Sequence, residues 1–185
     1  HASPHELSYL QGGIEGGEGY DWFYASDADR AAQNRTPITD GLANEPWVFR
    51  YKDLRQWWSR PHHNRIGGVR ASAPTAWVPE SKPIWFTELG CPAIARGANQ
   101  PNVFLDAKSS ESAAPHFSSG APDSYAQRRY LQAMLDYWEQ PGLNPLSSVY
   151  GGPMLTTERT HVWTWDARRW PDFPRREDAW ADGPN

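Results

Sequence analysis

The stretch Pro83-Ile-Trp-Phe-Thr-Glu-Leu-Gly90 decides how the rest of the chain is read. It is short, apolar, and rich in aromatic and β-branched residues. A glycine and then Cys91-Pro92 close it, as expected of a buried strand. Strand alternation puts Ile84, Phe86 and Glu88 on one side and Trp85 and Thr87 on the other. The expectation is a carboxylate at the C-terminal tip of a buried strand, facing the same way as two apolar residues.

Downstream, Gly90 to Pro122 reads as a long loop rich in Gly, Pro and Ser. Ser124 to Gln140 reads as the best helix. Ser124 with Gln127 gives a capping box, and Leu131, Met134, Leu135 and Trp138 give an apolar face. Asn144 to Thr157 is loop, and Thr160-His-Val-Trp-Thr-Trp-Asp166 is a second aromatic strand ending in an acid. Strand, helix and strand in this order make a β-α-β unit, which implies parallel strands and an α/β fold. Chemistry in such folds sits at the C-terminal strand ends, where Glu88 and Asp166 lie.

Upstream, His1 to Gly19 reads as a polar loop, because Gly12-Gly13 and Gly16-Gly17 punctuate it. Tyr20 to Gln33 is compatible with a helix, with Ser26 and Asp29 able to cap a second start. Thr36 to Trp47 is turn-rich. Lys52 to Ser59 is a short helix with Leu54, Trp57 and Trp58 on one side, stopped by Pro61. Arg65 to Lys82 reads as an irregular connector, and Ala167 to Asn185 as an extended tail. No internal repeat is present.

Composition bounds the function. Leu, Ile, Val and Phe number 28 of 185 residues, below the roughly 20% that accompanies disorder. Disorder also needs high net charge and few aromatics, whereas this chain has a net charge of -4 and 11 tryptophans. No apolar run spans a membrane, and no basic excess suits nucleic acid. The single cysteine, Cys91, excludes an intrachain disulfide and a Cys-rich zinc site. The aliphatic shortage and a start at His1 lead to the expectation that the chain is a piece of a longer polypeptide, one partial domain over residues 1–185.

Few residues suit chemistry. Glu88, a strand-tip carboxylate against an aromatic wall, is suited to be a nucleophile or acid/base in glycoside hydrolysis. The alternative is a structural carboxylate that holds loop amides or an arginine. Trp163 and Trp165 are two apart and face one side of their strand. They can floor a sugar site or pack a core. Asp166 has the opposite parity. Adjacent His62-His63 side chains diverge, so no metal site is expected, and His161 lies at the wrong strand end. Arg128-Arg129 reads as a solvated face. The glycines form no phosphate loop, and no Gly-x-Ser-x-Gly elbow accompanies a triad. No cofactor is expected.

Several stretches together resemble one group. They are Asp21-Trp-Phe-Tyr-Ala-Ser26, Arg35-Thr-Pro-Ile-Thr-Asp-Gly41, Trp47-Val-Phe-Arg-Tyr-Lys-Asp53, Lys82-Pro-Ile-Trp-Phe-Thr-Glu-Leu-Gly-Cys-Pro-Ala93, Asn99-Gln-Pro-Asn-Val-Phe104, Lys108-Ser-Ser-Glu-Ser112, Tyr150-Gly-Gly152 and Trp180-Ala-Asp-Gly-Pro-Asn185. In combination they look like the TIM-barrel-like domain of gene transfer agent tail proteins, which is similar to glycoside hydrolases. The resemblance implies the C-terminal portion of a (β/α)8 barrel, incomplete, with long βα loops. The 83–90 and 160–166 strands would then be the seventh and eighth. It also implies Glu88 at the position of a retaining nucleophile, with Trp163 or Trp165 on the sugar. The general acid/base of such barrels comes from the fourth strand, which this stretch does not supply. The implied setting is the tail of a phage-like particle made in the bacterial cytoplasm. The implied partners are cell-envelope polysaccharide and other tail or baseplate proteins. A non-catalytic glycan-binding module or a structural hub segment are the competing readings.

Overall fold

The computed structural model describes residues 3–106 and 109–163. They divide into two compact units. The first takes residues 3–11, 85–106, 109–138 and 157–163, and the second takes Gly12–Ile84 and Glu139–Thr156. The fold mixes helix and short strand, and the described residues form no closed barrel.

The first unit is built on a helix at Ser124–Trp138, here called α4, after α1 (Leu7–Gly19), α2 (Asp27–Ala32) and α3 (Leu54–Ser59). Its buried face is Ala126, Tyr130, Ala133, Met134, Tyr137 and Trp138. Met134 and Trp138 match expectation, but Leu131 and Leu135 are only half-buried. The face is rotated because two alanines and two tyrosines, not the leucines, join Met134 and Trp138 in the contact. The expected capping box does not form. Asp123 caps instead, its Oδ1 accepting the Ala126 amide at 3.0 Å. Gln127 donates to the Cys91 carbonyl at 3.1 Å. Asp123 Oδ2 also accepts from His5 Nε2 at 2.7 Å.

The parallel sense expected of the β-α-β unit is present. Leu89 bridges Val162 in the first unit, and Ile84 bridges Leu155 in the second, both parallel. The regular strand expected at Pro83–Gly90 is not present, because these are isolated bridges. The spacing explains it. Five residues separate Ile84 from Leu89, but seven separate Leu155 from Val162. The excess is taken up by a 3-10 turn at Thr157–Arg159, so the two segments cannot stay in step.

In the second unit, β1 (Trp22–Phe23) pairs antiparallel with β2 (Thr36–Pro37). The expected Tyr20–Gln33 helix shrinks to α2, with Ser26 Oγ accepting the Asp29 amide as anticipated. The expected irregular connector contains a hairpin, β3 (Arg65–Ile66) with β4 (Val69–Arg70). Gly67 and Gly68 have φ of 60° and 82°, the pair of positive angles that a two-residue hairpin turn needs.

The stretch expected to be a glycine-rich loop is mostly α1. Helix propensity is overridden there by tertiary contact. A Cβ on Gly17 would lie 3.0 Å from Lys52 Cβ, so a bare backbone permits that approach. The neighbouring Glu18 places Oε1 and Oε2 on the Leu54 and Arg55 amides at 2.9 and 3.1 Å. It thereby shares the capping of α3 with Asp53, whose side chain accepts the Gln56 amide. On α3, Trp58 is fully buried and donates from Nε1 to the Lys82 carbonyl at 2.7 Å.

Candidate functional site

Glu88 lies on a bend, and the bend changes its direction. Burial alternates from Ile84 to Thr87 as strand parity requires, then slips: Glu88 is exposed and Leu89 is buried. Glu88 therefore does not share a side with Ile84 and Phe86, contrary to expectation. Its carboxylate has no hydrogen-bond or ion-pair partner among the described residues, which is not the pattern of a structural carboxylate holding amides or an arginine.

The same bridge brings Trp163 to this tip. The Leu89 amide donates to the His161 carbonyl at 2.9 Å, and the Trp163 amide donates to the Leu89 carbonyl at 2.9 Å. Trp163 is 50% exposed. Between them, a Cβ on Gly90 would sit 1.9 Å from the Trp163 carbonyl oxygen. Only glycine admits that approach. Trp85 stacks under the Arg159 guanidinium at 4.9 Å. Trp165 and Asp166 lie outside the described residues.

The long segment after Gly90 folds on itself. The Ala95 amide donates to the Ala121 carbonyl and the Ala113 amide to the Phe104 carbonyl. Asn99 Nδ2 donates to the His116 carbonyl, and Gln100 Oε1 accepts the His116 amide. Within it Cys91 is buried, and desolvation pushes its thiol up to about 12. None of the described hydrogen bonds of this segment reaches Glu88.

The second unit holds a site that the sequence reading did not assemble, a cavity of about 790 Å³. Its walls are aromatic. Trp47 comes from a 3-10 turn at Pro46–Phe49, and Trp57 from α3. One residue along a helix is about 100° of rotation, so Trp57 stands 45% exposed while Trp58 enters the core. His62 is the hub. Its ring lies 4.7 Å from Trp57, 6.1 Å from Trp47, and stacks on Trp77 at 5.3 Å. Its Nε2 lies 2.7 Å from the Trp57 carbonyl. His63 turns away to the Ala71 carbonyl, so the pair diverges as expected. The Nε1 atoms of Trp47 and Trp77 are buried with no partner among the described residues.

The charges around this cavity are unevenly matched. Asp53 is ion-paired to Arg50, and Glu45 to both Arg65 and Arg70. The Arg70 and Arg65 hydrogen bonds hold the Glu45 carboxyl below its usual value. Lys52 and Lys82 also line the cavity, and neither has an ion pair among the described residues. Desolvation lowers the Lys52 ammonium below the ordinary lysine value. The sequence signal was present but scattered: Trp47, Trp57 and Trp77 sit ten and twenty residues apart, a spacing that matches no helical or strand period.

Among the described residues no group of three or more His, Cys, Asp or Glu could hold a metal ion. No helix among them is long and apolar enough to cross a membrane. In comparison with known proteins, a family model described as the GTA TIM-barrel-like domain matches residues 1–174. No curated protein matches the chain.

Proposed function

The chain belongs to the GTA TIM-barrel-like domain family, and from that premise we propose that it forms the glycan-facing part of a gene transfer agent tail hub. In this reading the segments through Ile84–Leu89 and Leu155–Val162 are the last two strands of a (β/α)8 barrel. Glu88 is the nucleophile of a retaining glycoside hydrolase, and Trp163, with Trp165, stacks on the sugar. The substrate is a cell-envelope polysaccharide met during particle entry.

The observation that supports the reading best is the Leu89–Val162 bridge. It sets an unpaired, exposed carboxylate and a half-exposed indole at the ends of adjacent parallel segments. An exposed indole face packs against sugar C–H groups, and a free carboxylate is what a nucleophile must be. Retaining chemistry needs a second carboxyl group roughly 5–5.5 Å away to protonate the leaving group. We assign that acid to another strand of the parent polypeptide.

The test is turnover of purified envelope glycan by the parent protein carrying Glu88→Gln. Cleavage should fall by about 100-fold or more with the fold intact. Unchanged cleavage removes Glu88 from the mechanism. The exposure of Trp163 equally supports binding without cleavage. In that case no product forms with either protein, and Trp163→Ala weakens glycan retention while Glu88→Gln does not.

A further inference from the structure

We propose that the aromatic cavity of the second unit binds an acidic saccharide, with the Trp57 and Trp77 rings against the sugar face and Lys52 and Lys82 on its anionic group. Glu88 is not among the residues that line the cavity, and the inference stands whether or not Glu88 is a nucleophile.

The size is right. At about 790 Å³ the cavity falls within the roughly 300–1,000 Å³ of small-molecule sites, with room for more than one sugar ring. The walls are right as well. A pyranose presents apolar C–H faces and an equatorial ring of hydroxyls, so it needs an aromatic shelf with polar groups at the edge. Trp57 supplies an exposed face at the rim, and Trp77 lies behind it at 4.9 Å.

Trp57, His62 and Trp77 pack on one another, with centroids 4.7, 4.9 and 5.3 Å apart. At these spacings the rings touch, so a ligand lies against the outer face of the cluster and not between its rings.

The charges narrow it further. Both carboxylates that line the cavity are committed to arginines: Asp53 to Arg50, and Glu45 to Arg65 and Arg70. The two lysines are not committed to any acid among the described residues. A quaternary ammonium, the usual guest of an aromatic cage, would meet repulsion from them. A sugar carrying a carboxylate or a phosphate would meet two exposed ammonium donors at the edge of an apolar wall.

The test is calorimetric titration of the 185-residue chain. The probes are galacturonate trimer against galactose trimer, mannose 6-phosphate against mannose, then AMP and choline. At least one acidic sugar should bind about tenfold or more tightly than its neutral counterpart, and the two acids show whether the anion is a carboxylate or a phosphate. The Lys52→Met/Lys82→Met double variant should lose about tenfold in affinity for the acid and little for the neutral sugar. Trp57→Ala should lose about tenfold or more for both, with its circular dichroism unchanged because Trp57 is not core. Leu42→Ala, exposed and outside the cavity lining, should bind as the unaltered chain does. Equal affinity for acidic and neutral sugars overturns the proposal, as does tighter binding of AMP or choline. So does an unaltered affinity in Trp57→Ala, or no heat with either acid at about 10 mM.

Discussion

The Glu88 tip and the aromatic cavity differ in the state of their acids and in the aromatic surface around them. The tip offers, among the described residues, an unpartnered carboxylate and one half-exposed indole with no enclosing wall. The cavity offers three indoles and an imidazole around an open cleft, but both of its carboxylates are tied to arginines. Glu45 is held bidentately by Arg70, and Asp53 has one oxygen on Arg50 and the other on the Gln56 amide, so each has its lone pairs occupied and is a poor nucleophile. The comparison teaches that aromatic richness alone does not locate catalysis. The state of the nearby acids separates the place proposed to hold a sugar from the one proposed to react with it.

The sharpest way to break this contrast uses the neighbouring indoles of α3. Trp58→Ala should cost about 3–5 kcal/mol of stability in urea unfolding, because Trp58 is fully buried and bonded to the Lys82 carbonyl. Trp57→Ala should cost less than about 1 kcal/mol in the same measurement. Equal costs would mean that Trp57 is core after all. Next in size, Gly90→Ala should cost about 3 kcal/mol, since the obstructing atom is the Trp163 backbone carbonyl. It should also shift the Trp163 emission. A benign Gly90→Ala would detach Trp163 from the tip.

Smaller effects distinguish the two helix starts. Asp123→Asn should cost about 1 kcal/mol at neutral pH, whereas Glu18→Gln should cost most at acid pH, so their pH dependence should have opposite sign. For Asp123, burial raises the carboxyl. The His5 bond and the α4 amides outweigh it, leaving the folded value below the ordinary 3.8. Its contribution is therefore present above about pH 3.8 and lost as pH falls through the folded value. For Glu18, burial dominates the bonds from Leu54 and Arg55 and raises the folded value above the ordinary 4.5. Its contribution is full below about pH 4.5 and lost as pH rises through the folded value. Urea midpoints of the parent and of Asp123→Asn and Glu18→Gln from about pH 3 to about pH 7 will show the gap widening with pH for one and narrowing for the other.

These two acids also show what was legible in the sequence. Asp123 lies just before the helix it caps, so the helix and an N-terminal cap were readable, even though Ser124 was expected in its place. Glu18 caps a helix 36 residues further on, and no local pattern announces that. The parallel sense of the Ile84–Leu155 and Leu89–Val162 pairing followed from a helix lying between two aromatic segments. The bend at Glu88 did not, because it comes from a mismatch in spacing between partners rather than from the Pro83–Gly90 composition. The glycines of α1 misled for the same reason: their cost in a helix is local, and the contacts that offset it are remote. The cavity was the least legible feature. Trp47, Trp57, His62 and Trp77 each read as an ordinary aromatic, and only the hairpin turn and the α3 rotation bring them to one place.

Cys91 has a practical consequence beyond its place in the core. The thiolate is the form that reacts with maleimides and iodoacetamide, and a thiol pushed up to about 12 and shielded from solvent supplies almost none at neutral pH. The one native sulfhydryl is therefore silent to labelling in the folded chain. A cysteine introduced at Leu42, which is 94% exposed, would take a fluorophore alone, with no need to remove Cys91. Intact-mass measurement should show a single adduct on the folded protein and a second only after denaturation. The fold thus comes with a built-in protecting group, and its own unfolding is the deprotection step.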